Sequence, residues 1–127
     1  MADQSALDVV VAYTEAWAGK DLESAAGYLA ADVVFDGASA HYDSAEPLLQ
    51  GLGRFVTQIA PGWRQLAVVA EGEQVMLMYE VSLPSGLPVR LAEHFTVRGG
   101  KIRSETLVYD TAAVQAARAE AQAAQAV

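Results

Sequence analysis

Glu93 is the residue of this chain whose neighbours best suit it to acid chemistry. It lies in RLAEHFTVRGGKI, residues 90–102, where apolar and polar residues alternate into a two-glycine turn. Alternation sends successive side chains to opposite faces of a strand. Glu93 therefore stands either on a wet face, as a surface glutamate paired with a lysine or arginine, or inside, between Leu91 and Phe95. Burial strips water from a carboxylate and disfavours its charged form, which raises its pKa. An inward Glu93 would hold a proton near neutral pH and could donate it to a ligand oxygen.

The other chemically capable residues divide by position. Tyr13 sits on an apolar helical stripe, where its plain reading is a core aromatic. His41 falls in a loop of small and polar residues, where a solvated imidazole is the plain reading and a base the sharper one. Asp36 reads as a turn or surface residue, and Glu71 and Glu73 as a solvated turn. His94 and Glu80 alternate away from the core. Two separated histidines and no cysteine leave no metal-ligand cluster, disulfide or thiol nucleophile. No cofactor is expected.

The elements that must position these groups can be read from periodicity. Ser5 and Asp8 resemble a capping box, and Ala6, Val9, Val10, Tyr13 and Trp17 form one face of a first helix that Gly19 stops. Asp21 caps a short second helix with Leu22, Ala25, Ala26 and Leu29 inside. A strand follows at 33–37, with Val33, Phe35 and Gly37 on one side. A third helix carries Leu52, Phe55, Val56 and Ile59 and ends at Pro61-Gly62. From Trp63 the period changes to two, predicting strands near 63–70, 74–83, 88–98 and 101–110. The order is α-α-β-α and then an antiparallel meander, an α+β fold whose curved sheet wraps the helices. Residues 1–110 form the domain. The tail 111–127, with nine alanines in seventeen residues, is expected to be helical or frayed and to contribute little.

Composition narrows the function. A chain of 127 residues makes one domain with its own core. A net charge of −8 argues against nucleic acid, whose phosphates need a basic face. No apolar run reaches membrane-spanning length and the N-terminus is acidic, so a cytoplasmic protein without a membrane partner is expected. Phosphate-binding glycine loops and hydrolase elbows are absent. Apolar residues at 53% fit an apolar cavity or interface. Met76 and Met78, alternating to the outside of their strand, suggest a covered face and hence a homodimer.

Turn chemistry decides which way Glu93 points. Pro84-Ser85-Gly86 suits a three-residue hairpin loop with glycine in the left-handed region. That register pairs Leu77 with Glu93 and Tyr79 with Leu91, placing Glu93 on the apolar face; a bulge at Pro88 would shift every residue to the other face. On the last strand a tight Gly99-Gly100 turn would turn Ser104, Thr106 and Val108 inward.

The element order, with YTEAWAGKDLESAAGYLAADVVFDG and EHFTVRGGKI, resembles the SnoaL-like and ketosteroid isomerase-like branch of the nuclear transport factor 2-like superfamily. The resemblance implies an α+β cone, a cystatin-like fold with three helices packed in a curved sheet around an apolar pocket. In the ketosteroid isomerases a helix-one tyrosine and an Asp-His-Phe strand motif donate hydrogen bonds, which match Tyr13 and Glu93-His94-Phe95. A carboxylic acid kept neutral by its apolar site is the chemistry this implies. The isomerase base position corresponds to Gly37 and the SnoaL-type aspartate position to Leu107, so neither family base is present. The comparison turns Glu105, Leu107 and Tyr109 inward, which requires one extra turn residue. Trp17, Phe35, Phe55 and Tyr79 would then be pocket walls, with Leu77, Phe95, Leu107 and Tyr109 from the sheet. The resemblance leaves two functions open: cofactor-independent isomerase, cyclase or dehydratase chemistry on a polyketide- or steroid-like molecule, or non-catalytic binding of a small apolar molecule. A second ionisable group beside Glu93, from His41 or Glu105, would favour catalysis.

Overall fold

The computed structural model describes residues 5–125; Met1–Gln4 of the acidic N-terminus and the last two residues of the tail lie outside the described residues. Helix α1 runs Ala6–Ala18, and Ser5 accepts from the Asp8 amide to cap it. It buries Val9, Val10, Tyr13 and Trp17. Gly19 is the C-cap, but the left-handed turn falls one residue later, at Lys20 with φ 67°. The Lys20 ammonium holds that turn by donating to the Ile59 carbonyl at 3.0 Å. Helix α2, Leu22–Ala26, is capped by Asp21 as expected.

The expected strand at 33–37 is longer. β1 spans Leu29–Asp36, so Leu29 is a strand residue and not part of the second helix. A short strand β2, His41–Tyr42, lies inside what reads as loop, and helix α3 spans Ala45–Val56. Ile59 is buried beyond the end of α3. The four remaining strands are β3 Arg64–Glu71, β4 Gln74–Ser82, β5 Pro88–Arg98 and β6 Lys101–Tyr109. They form the expected antiparallel meander within a sheet ordered β2-β1-β6-β5-β4-β3. One pairing departs from pure meander: β1 lies parallel to β6.

The Pro84-Ser85-Gly86 loop closes as its residue types require. Gly86 takes φ +91°, and the Leu83 amide donates to the Leu87 carbonyl at 2.9 Å. Pairing then runs without a bulge through Tyr79–Leu91 and Leu77–Glu93. Between β5 and β6 the turn at Gly99-Gly100 is tight, pairing Arg98 with Lys101, yet Thr96 pairs with Ser104 and Val97 with Ile102. Arg103 is therefore the extra residue, placed in the strand as a β-bulge and not in the turn. Ile102 faces the core directly from the turn, and the bulge brings Glu105 to the same buried face.

The helices fill the concave side of the sheet, with α1 against β4, β5 and β6. The tail is a helix, α4, Thr111–Gln125, begun by an Asp110 carboxylate that accepts from the Ala112 amide. It does more than fray. Val114 is 2% exposed, Ala117 packs on the core, and Arg118 donates to Gln58 at 3.3 Å. Among the described residues no helix is long and apolar enough to cross a membrane.

Candidate functional site

Glu93 lies inside, 4% exposed, and it is not alone. Glu105, delivered by the Arg103 bulge, is 2% exposed and opens onto the same cavity. Tyr13 from α1 and Tyr79 from β4 reach the same place, so four elements each bring one ionisable side chain to one point. The Tyr79 hydroxyl donates to Glu93 Oε1 at 2.9 Å. Tyr13 interacts with Glu105, and the two carboxyl groups interact with each other. Oε1 of Glu105 is buried without a hydrogen-bond partner.

Burial governs the charge state of this group. Desolvation pushes Glu93 from the ordinary 4.5 up to about 7, partly opposed by the Tyr79 hydrogen bond and the contact with Glu105. Glu105 is raised well above the usual carboxylate range, first by burial and then by the charge of Glu93. Two carboxyls this close cannot both ionise cheaply, so the pair keeps one proton between them. Tyr13 and Tyr79 are pushed up, mainly by burial and also by the neighbouring carboxyls, and stay as neutral donors. Among the described residues no lysine, arginine or histidine lines the cavity.

The walls above this floor are aromatic. Trp17 meets Tyr79 with ring centroids 5.8 Å apart and Phe55 at 6.1 Å, and Phe55 meets Tyr109 at 6.0 Å. Opposite them Phe35 lies against Tyr42 at 5.8 Å. Leu107 also lines the cavity, as does the loop 37–40, where Ser39 and Tyr109 hydroxyls approach to 3.5 Å. The cavity volume is about 80 Å³, room for a handful of waters at roughly 10–15 Å³ each.

Two expected wall residues do not belong. Leu77 and Phe95 face the correct side of the sheet but lie in the core, outside the cavity lining. Phe95 is covered by the Tyr13 ring, edge-on at 6.4 Å. Strand alternation specifies a face, not a height along it, and helix α1 covers that part of the sheet. Tyr79 was expected only as wall and proves to be a hydrogen-bond donor as well. Tyr42 was not foreseen, because nothing in a small-residue loop marks it as a wall.

His41 is at neither the floor nor the wall. Its two ring nitrogens sit 2.7 Å from carboxylate oxygens of Asp36 and Asp43, and the side chain is 53% exposed. These partners raise its pKa, the Asp36 hydrogen bond first. Gly37 also has a physical account. A Cβ there would lie 2.5 Å from Phe35 Cε1, so the ring occupies the space a side chain at the family base position would need.

A model of the SnoaL-like domain matches residues 10–105. The chain belongs to the SnoaL-like domain family. Solved structures agree at the level of fold. A protein from Kribbella flavida DSM 17836 is 25% identical, over 94% of this chain and 98% of that one, with a TM-score of 0.85. A ketosteroid isomerase-like fold from Catenulispora acidiphila, in complex with trimethylamine, is 21% identical over 81% of this chain and 85% of that one, TM-score 0.70. A candidate polyketide cyclase from Sinorhizobium meliloti is 20% identical over 83% of this chain and 100% of that one, TM-score 0.71. No curated protein matches. The α+β cone of the nuclear transport factor 2-like and cystatin-like folds is thus the architecture of this SnoaL-like domain.

Proposed function

We propose that this SnoaL-like domain transfers a proton to and from a small, largely apolar molecule held in the aromatic cavity, with Glu93 as base and Glu105 as acid. The observation that carries this reading is the second buried carboxyl. One carboxyl is acid or base at any moment, whereas two carboxyls sharing one proton supply both at once. Glu93, near 7, is ionised in part at neutral pH and can accept a proton from carbon. Glu105 keeps its proton and, with the Tyr13 hydroxyl, can stabilise negative charge on a substrate oxygen. The pair does the work of the family bases that Gly37 and Leu107 replace. No cofactor enters this scheme.

Isomerisation, cyclisation and dehydration all fit such a pair. The family resemblance and the candidate cyclase from Sinorhizobium meliloti favour a polyketide- or steroid-like ring or a fragment of one. The test is deuterium wash-in: carbonyl compounds incubated with the protein in heavy water and followed by NMR. Wild type should exchange a C–H proton next to the carbonyl, and Glu93→Gln should slow this by roughly 10²-fold or more. Compounds that bind without exchange in wild type would establish the non-catalytic binding reading instead.

The outer face of the sheet supports a homodimer. Met76 and Met78 are 50% and 41% exposed, with Val69 and Val108 also in the open. Met78 pairs through Ala92 to Val108, forming a continuous apolar row. Sedimentation at micromolar concentration should give twice the chain mass; a monomer would count against the assembly.

A further inference from the structure

We propose that the cavity selects small organic cations: a protonated amine on an apolar body, with its N–H groups on the Glu93–Glu105 pair and its carbons between the aromatic rings. This rests on the cavity being the working site, as proposed above, and adds that its substrate carries a basic nitrogen.

Donor and acceptor counting leads there first. The floor has four carboxyl oxygens, and the hydrogens beside them are the shared proton and the hydroxyls of Tyr13 and Tyr79. Glu105 Oε1 is left buried with no partner, a costly arrangement that a ligand donor would relieve. An ammonium brings up to three donors and a charge opposite to that of the pair. A neutral alcohol brings one donor and no charge. An anion would be set against carboxyls in a site that no lysine, arginine or histidine lines.

The walls point the same way. Trp17, Phe55, Tyr109, Phe35 and Tyr42 all line the cavity. Aromatic faces carry negative potential and attract a cation within about 6 Å of the ring centre, most strongly when it is desolvated. An aromatic wall over an acidic floor is attractive to cations from both sides and repels anions from both.

Three probes sharing one tert-butyl body test this: tert-butylammonium and tert-butanol, which are isosteric, and pivalate, titrated near pH 7.5 while the Trp17 indole and cavity amides are followed by NMR. The ammonium should bind at least roughly tenfold more tightly than the alcohol, and pivalate should leave the cavity signals unmoved. In the Glu93→Gln/Glu105→Gln double variant that preference should fall to about twofold or less, with alcohol binding retained as proof of an intact cavity. The ionisable groups facing the site are Tyr13 from α1, Tyr42 from β2, Tyr79 from β4, Glu93 from β5, and Glu105 and Tyr109 from β6. Between about pH 5.5 and 8 only the carboxyl pair changes charge, so ammonium affinity should rise over that range while alcohol affinity stays flat. Alcohol or pivalate binding as tightly as ammonium in the cavity overturns the charge selection and leaves the working site standing. Cavity signals unmoved by all three overturn both.

Discussion

The Tyr79 hydroxyl and Glu93 Oε1 meet at 2.9 Å although neither residue pairs directly with the other: Tyr79 sits opposite Leu91, and Glu93 opposite Leu77. They are diagonal neighbours on one face, a separation that a long aromatic side chain can bridge. The bond favours the ionised carboxylate and so holds Glu93 at about 7 against a desolvation that would carry it further. A strand register thereby becomes a titration point.

Stability should follow that titration. Glu93 has a folded pKa above its ordinary 4.5, so the folded state binds more protons between the two values. Its contribution to stability is complete below about 4.5 and is lost as pH rises through about 7; Glu105, raised in the same direction, adds to the slope. Over that window the wild type should lose on the order of 3 kcal/mol from Glu93 alone. Glu93→Gln should show a visibly flatter curve when unfolding is measured from pH 5 to about 8. Parallel curves for the two proteins would place Glu93 in water.

Restoring the family base at Gly37 should fail. The Phe35 ring stands where the new side chain must go. Gly37→Asp should therefore displace the ring and destabilise the fold by about 1–3 kcal/mol, without faster deuterium exchange. Thermal unfolding and the exchange assay together check this. A stable variant with increased exchange would show that the ring yields freely.

The C-terminal helix should matter to stability. Truncation after Ala113 removes Val114, whose burial is worth about 1.5–3 kcal/mol, together with the Ala117 contact. A drop in Tm of roughly 5–10 °C is expected for a domain of this size. A Tm unchanged within a degree would mean that α4 docks without holding the core.

Much of this site was legible in the residues, and the exceptions have physical causes. Pro84-Ser85-Gly86 sets one register, so the inward turn of Glu93 follows from local chemistry alone. Tyr13 and Trp17 follow from helical period. Glu105 does not, because the tight Gly99-Gly100 turn by itself sends Ser104 and Thr106 inward; only the comparison with a family turned it the other way. The bulge at Arg103 carries no turn residue to announce it. The parallel partnership of β1 and β6 joins chain segments some seventy residues apart, beyond the reach of periodicity. Leu77 and Phe95 show the complementary failure, where the face was right and the helix packed over it could not be seen.

The Arg103 bulge also sets two hairpins in competition while the chain folds. The tight turn, left to itself, pairs β5 and β6 without interruption and turns Glu105 outward; the native pairing leaves one residue unmatched and is favoured only once α1 has docked over the buried face. Early encounters should populate the wrong register, and escape from it should appear as a slow refolding phase. Deleting Arg103 reconciles the two, since the uninterrupted hairpin then turns Glu105 inward. Stopped-flow refolding of that deletion should lose the slow phase with Glu105 still in the cavity, and an unchanged slow phase would trace the delay to another step.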